Sequence, residues 1–143
     1  MEVVLDSNIF FRVLISRGEI LKIVFDKLLT IYAPARLKEE FERHKDEILL
    51  KSKLLNDEFN EFVSLVFERI TFIPLEEFKS SVPKAKTLLG AHLKDVEFVA
   101  LALAKNLKLW TYEELLLRIG VGISTKEVSN ELSKEPDGIS SET

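Results

Sequence analysis

Residues 2–8 read Glu2-Val3-Val4-Leu5-Asp6-Ser7-Asn8, a short β-branched run that ends on a carboxylate. An apolar run without polar alternation suits a strand covered on both faces, the usual condition of a parallel sheet. Ser7 can cap the helix that follows, expected from Asn8 to about Ser16 with Ile9, Phe10, Val13 and Leu14 turned inward. A buried strand, an acid at its end and a helix immediately after set the reading of the rest.

The same alternation continues outward. Arg17-Gly18 stops the first helix, and a second is expected from about Glu19 to Leu28. A strand over Leu29–Ala33 is closed by Pro34, and a long helix runs from Ala35 to about Leu50. Asn56 or Asp57 can cap a further helix carrying Phe59, Phe62, Val63, Val66 and Phe67. Ile70–Ile73 reads as a third strand, followed by helical pieces at Leu75–Ser80 and Pro83–Leu89. Lys94-Asp95 opens a helix with Phe98, Val99, Ala100 and Leu103 inward, Leu107–Trp110 is a fourth strand, and a helical turn follows through Leu117. Gly120–Ser124 is expected as an edge strand and Lys126–Leu132 as a last helix, capped by Thr125. Strands alternating with helices specify an α/β domain of three layers, a mostly parallel central sheet flanked by helices. Residues 1–132 are expected to form it, with 133–143 a polar, mobile tail.

Composition narrows the chemistry. The chain of 143 residues is 46% hydrophobic, enough for one sizeable core. No apolar stretch approaches the roughly 20 residues of a membrane span, and the start lacks the basic region of a secretion signal, so a cytoplasmic protein without membrane contact is expected. The absence of cysteine removes disulfides and thiolate sites. His44 and His92 have no paired spacing, Ser7 has no nearby histidine base, and no Walker-type glycine loop occurs. A net charge of −4 speaks against a passive nucleic-acid coat, yet is compatible with acids gathered around a cation.

Acids stand where such a sheet binds ligands, beyond the carboxyl ends of its strands. Asp6 ends the first strand and Glu113 lies three residues past Trp110. Asp95 begins a helix, where it can meet a metal or simply cap that helix. Glu40 lies inside the long helix and, taken alone, reads like Glu39 and Glu42 as a solvated acid. Convergence of the four would give a hard oxygen site suited to Mg²⁺ or Mn²⁺. Such an ion lowers the pKa of bound water and stabilises charge at a phosphodiester. Arg12, Arg36, Arg43 and Lys94 can touch a nucleic-acid backbone, although solvated surface charge is their default role.

Four segments taken together carry a resemblance. They are Val3-Val4-Leu5-Asp6-Ser7-Asn8, Leu37-Lys38-Glu39-Glu40-Phe41, Lys94-Asp95-Val96-Glu97-Phe98-Val99-Ala100-Leu101-Ala102-Leu103-Ala104, and Leu109-Trp110-Thr111-Tyr112-Glu113-Glu114-Leu115-Leu116. In this order, over about residues 2–125, the sequence resembles the PIN-domain family, including toxin ribonucleases of toxin–antitoxin pairs. The resemblance implies a PIN-like sheet and metal-dependent cleavage of single-stranded RNA, with Asp6, Glu40, Asp95 and Glu113 as metal ligands. Asn8 and Thr111 match polar positions that shape the pocket. Glu40 is preferred to Glu39 because an apolar residue, Phe41, follows it. Glu97 is expected to turn away from Asp95, or to join an outer shell. Where the family usually carries aspartate after the Trp-Thr pair, this chain has Glu113, whose longer arm puts a second metal in question. A cognate antitoxin and a homodimer are the partners implied. The alternative is a catalytically weakened PIN domain serving as an RNA- or protein-binding scaffold.

Overall fold

Val3, Val4 and Leu5 are completely buried, as a strand covered on both faces requires, and they form the centre of the sheet. The structure is a computed structural model that describes residues 1–92 and 96–134. Strands β1 (Glu2–Leu5), β2 (Thr30–Pro34), β3 (Ile70–Ile73), β4 (Leu109–Trp110) and β5 (Gly122–Ile123) pair in the order β3-β2-β1-β4-β5. Every pairing is parallel. The helices are α1 (Ser7–Ser16), α2 (Gly18–Val24), α3 (Arg36–Ser52), α4 (Asn56–Glu68), α5 (Val82–Leu89), α6 (Val96–Lys105), α7 (Glu114–Arg118) and α8 (Thr125–Lys134).

The strand order fixes the layers. The chain steps from β1 to β2 to β3 in one direction, so right-handed crossovers put α1 to α4 on one face. It then returns past β1 to β4, which places α5 and α6 on the other, where α6 packs on β1, β2 and β4. The reversal lies between β1 and β4. A crevice opens at such a switch point, beyond the carboxyl ends of the two strands. Under the first face, Phe10 stacks on Phe67 and meets Phe41 edge-on, and Phe41 stacks on Phe59, tying α1, α3 and α4 into one aromatic core.

Several boundaries differ from the sequence expectation, each for a local reason. Pro34 belongs to β2 rather than closing it. Ala35 donates to Ile73 of β3, so the amide position of residue 34 faces β1, where pairing has already ended at Tyr32 and no donor is needed. β4 begins at Leu109 because Asn106 turns to φ 56° and the Leu107 amide is spent on the Ala102 carbonyl, closing α6. α2 stops at Val24 instead of Leu28. The carboxylate of Asp26 accepts from the Leu28 amide, and the Arg69 guanidinium donates to the carbonyls of Val24, Asp26 and Leu29, each at 2.8 Å.

Helix starts also shift. α4 begins at Asn56, so Leu55 occupies the cap position and Glu58 accepts from its amide. Ser124, not Thr125, caps α8: its hydroxyl accepts from Glu127 N–H, and the Glu127 carboxylate accepts from Ser124 N–H. Donation from the Ser124 backbone N–H, and secondarily from its hydroxyl, holds the Glu127 carboxyl below its ordinary range. Thr125 instead accepts from the indole N–H of the fully buried Trp110. α8 runs two residues beyond the expected domain end at 132, to Lys134. The expected helix start at Lys94-Asp95 and the tail from residue 135 lie outside the described residues. Among the described residues no helix is long and apolar enough to cross a membrane.

Candidate functional site

Among the described residues, the switch point holds the most deeply buried acid, Asp6. Leu5 pairs with Trp110 across the β1–β4 ladder, so the next residues, Asp6 and Thr111, meet where the two strands end. Asp6 is only 1% exposed and Thr111 is completely buried. The Asp6 amide donates to the Trp110 carbonyl, which holds the backbone at the edge. One carboxylate oxygen accepts from the Ser7 amide at 2.8 Å, and the other accepts from the Thr111 hydroxyl at 2.5 Å. Asp6 is therefore the N-cap of α1, the role the sequence suggested for Ser7. A buried carboxylate is costly unless its oxygens are satisfied, and a helix N-terminus is a favourable place for it.

Thr111 continues the chain of contacts, since its hydroxyl oxygen accepts from the Glu113 amide at 2.9 Å. Glu113 is half-buried at the N-cap of α7, in extended backbone geometry, and its carboxylate makes no capping bond. Gly122 of β5 backs the threonine: a Cβ there would stand 2.8 Å from the Thr111 methyl and 3.1 Å from the Leu117 amide nitrogen. Asn8 lies in the first turn of α1, and its buried side-chain oxygen has no hydrogen-bond partner among the described residues.

A second group of acids is held by Arg36. It opens α3 just past β2, and its Nε lies 3.2 Å from Glu40, one turn along the helix. Its Nη1 lies 3.8 Å from Glu97 in the first turn of α6. Glu97, expected to turn away from Asp95 or to join an outer shell, shares a guanidinium with Glu40. The Glu40 side chain is only 14% exposed, so it is not the solvated acid it resembles in isolation. Arg36 is an ion-pair partner here, not a free surface cation. Sequence periodicity could not reveal this link, because it joins helices some 60 positions apart; the i, i+4 spacing of Arg36 and Glu40 was its one local trace. Glu39 is exposed. His44 lies against Phe11 and near Glu47.

Asp6, Thr111 and the Glu113 backbone are thus joined directly, and Glu40 and Glu97 are joined through Arg36. Asp95 lies outside the described residues. Among the described residues no three acid or histidine side chains close into a metal-holding group. The donors at hand are nevertheless all hard oxygens: carboxylates, the Thr111 hydroxyl and the unsatisfied Asn8 carbonyl. Asp6 brings a carboxylate whose two oxygens are oriented by the Ser7 amide and the Thr111 hydroxyl. The donor set suits Mg²⁺ or Mn²⁺ and is wrong for soft ions.

A parallel α/β sheet with a buried aspartate at its switch point defines the structural class. The sequence model of the PIN domain family matches residues 4–133, and the chain belongs to that family. PIN domains are generally nucleases and typically use divalent metals. No curated protein matches the chain.

Proposed function

We propose that this PIN domain is a divalent-metal-dependent endoribonuclease acting on single-stranded RNA. The observation that carries the reading is Asp6, a buried acid fixed from two sides at the switch point of the sheet. In this reading Asp6, Glu40, Asp95 and Glu113 hold Mg²⁺ or Mn²⁺, while Asn8 and Thr111 shape the pocket. A bound ion would activate water and offset charge on the phosphate. Thr111 and the Ser7 amide orient the Asp6 carboxylate, and Glu113 contributes a carboxylate not committed to its helix. The reading extends to the toxin role, with a cognate antitoxin and a homodimer. Leu50 and Leu55, 80% and 72% exposed at the α3–α4 corner, supply apolar surface for such partners.

One observation favours the scaffold alternative. Arg36 already neutralises part of the charge of Glu40 and Glu97, supplying from the protein a cation that metal would otherwise supply. The deciding experiment is cleavage of a labelled single-stranded RNA with Mn²⁺ or with EDTA. Wild type is expected to cut only with metal, and Asp6→Asn, which keeps the size and removes the charge, is expected to be inactive. Cleavage by Asp6→Asn in EDTA rules the metal mechanism out, and an inert wild type gives the scaffold reading the lead.

A further inference from the structure

Tyr112 stands between Thr111 and Glu113 at the candidate site, yet its side chain belongs to neither the core nor the acid group. It is 44% exposed, one residue from a completely buried threonine. Its ring lies 5.6 Å from the guanidinium carbon of Arg12 on α1, a cation–π contact. Arg12 is itself exposed, and no carboxylate pairs with it among the described residues. Asn8 and Arg12 are four positions apart on α1, so they share a face of that helix. That face runs from the first turn, beside Asp6, outward to Arg12 and the Tyr112 ring.

An exposed aromatic backed by an unpaired arginine, one step from an acidic pocket, has the chemistry that single-stranded nucleic acid requires. The ring offers a face on which any base can stack, and the guanidinium offers charge to a phosphate and a second planar surface. A duplex, whose bases are already stacked on each other, has no base to give the ring.

We infer that Tyr112 and Arg12 form a base-stacking platform that seats an unpaired nucleotide flanking the phosphate to be cut. This deepens the nuclease reading and rests on it for the placement of that phosphate. The platform makes the site selective for single strands without selecting a base.

The test is fluorescence anisotropy of an oligouridine RNA with wild type, Tyr112→Phe, Tyr112→Ala and Arg12→Ala in EDTA, where cleavage does not interfere. A matched oligomer with abasic sites is the second probe, and circular dichroism establishes that each variant is folded. Tyr112→Ala is expected to weaken oligouridine binding roughly tenfold, within the range set by loss of one stacked base, and Tyr112→Phe to stay within about twofold. On the abasic oligomer wild type and Tyr112→Ala should bind alike, a result that a merely structural role of the tyrosine does not produce. Arg12→Ala should weaken both probes and flatten the salt dependence. Equal binding of oligouridine by wild type and Tyr112→Ala overturns the platform, even if metal-dependent cleavage is present. Loss on oligouridine alone upholds it, even if the protein never cuts. A wild type that binds neither probe overturns the platform, and the nuclease reading then stands or falls on the Mn²⁺ cleavage assay alone.

Discussion

Replacing Thr111 with valine removes one oxygen and keeps the shape of a completely buried side chain, so it isolates the two hydrogen bonds that hydroxyl makes. The hydroxyl donates to Asp6, and losing a hydrogen bond to a carboxylate in the interior costs about 1.5–3 kcal/mol. It also accepts from the Glu113 amide, which would be left without its acceptor at a cost of about 1–3 kcal/mol. No cavity term is added, because valine fills the same volume and its methyl still packs on Gly122. Since the amide of Glu113 is only part-buried and water can reach it, the lower half of the combined range applies, about 3 kcal/mol. For a domain of this size that is a fall in Tm of roughly 10 °C. Thermal unfolding followed by circular dichroism in EDTA measures it, with Thr111→Ser as the variant that keeps the hydroxyl. Repeating the melts with Mn²⁺ separates stability from site geometry, because an ion bound only by the folded state raises Tm. With the Asp6 carboxylate no longer oriented, the valine variant should gain less from Mn²⁺ than wild type. If Thr111→Val melts within about 2 °C of wild type and gains as much from the metal, the hydroxyl does not position Asp6 and the reasoning fails.

Gly122→Ala should cost about 1–3 kcal/mol by pressing on the Thr111 methyl, and should also lower the Mn²⁺-induced gain in Tm; an alanine variant as stable as wild type contradicts the close approach. Arg69→Met keeps most of the side-chain bulk but removes the donors to three carbonyls, with an expected loss of about 3 kcal/mol in urea unfolding. Glu113→Asp should retain cleavage, whereas Glu113→Gln should require more Mn²⁺; inactivity of the glutamine variant at saturating metal would make this residue an essential ligand. The Glu127 carboxyl is held below the ordinary glutamate value of 4.5 by the Ser124 donors. A depressed folded value means its stabilisation is present above the unfolded value and is lost as pH falls through the folded one. Glu127→Gln should therefore flatten the fall of Tm between about pH 6 and pH 3, and an unchanged pH profile would contradict that linkage.

Much of the architecture was legible because it follows from local pattern. The run Val3-Val4-Leu5 announced a doubly covered strand, and the alternation of strands and helices announced a parallel sheet, which proved parallel throughout. The position of Asp6 at the carboxyl edge followed from those two facts alone. Less legible was whatever depends on a bond to a distant residue. Leu107 has the character of a strand residue, but its amide closes the preceding helix. Leu28 continues an apolar helical face, but Arg69 and Asp26 capture the backbone before it. The cap at Ser7 was misplaced by one residue because Asp6 serves cap and pocket with its two oxygens. Arg36 looked like surface charge, since neither its hold on Glu97 nor the burial of Glu40 is encoded in spacing along one helix.

The Arg69 side chain has a further consequence, for the order in which the chain becomes ordered. Its three acceptors lie 40 to 45 positions earlier, so nothing local can form these bonds. The segment from Val24 to Leu29 must wait until α3 and α4 have folded back and delivered residue 69 beside it. Contacts that need so long a loop to close are made late, after most of the surface is already buried. Removing them should leave the refolding arm of a chevron nearly unmoved and raise the unfolding arm. The guanidinium then acts as a latch, setting how long the folded molecule lasts and not how fast it is made.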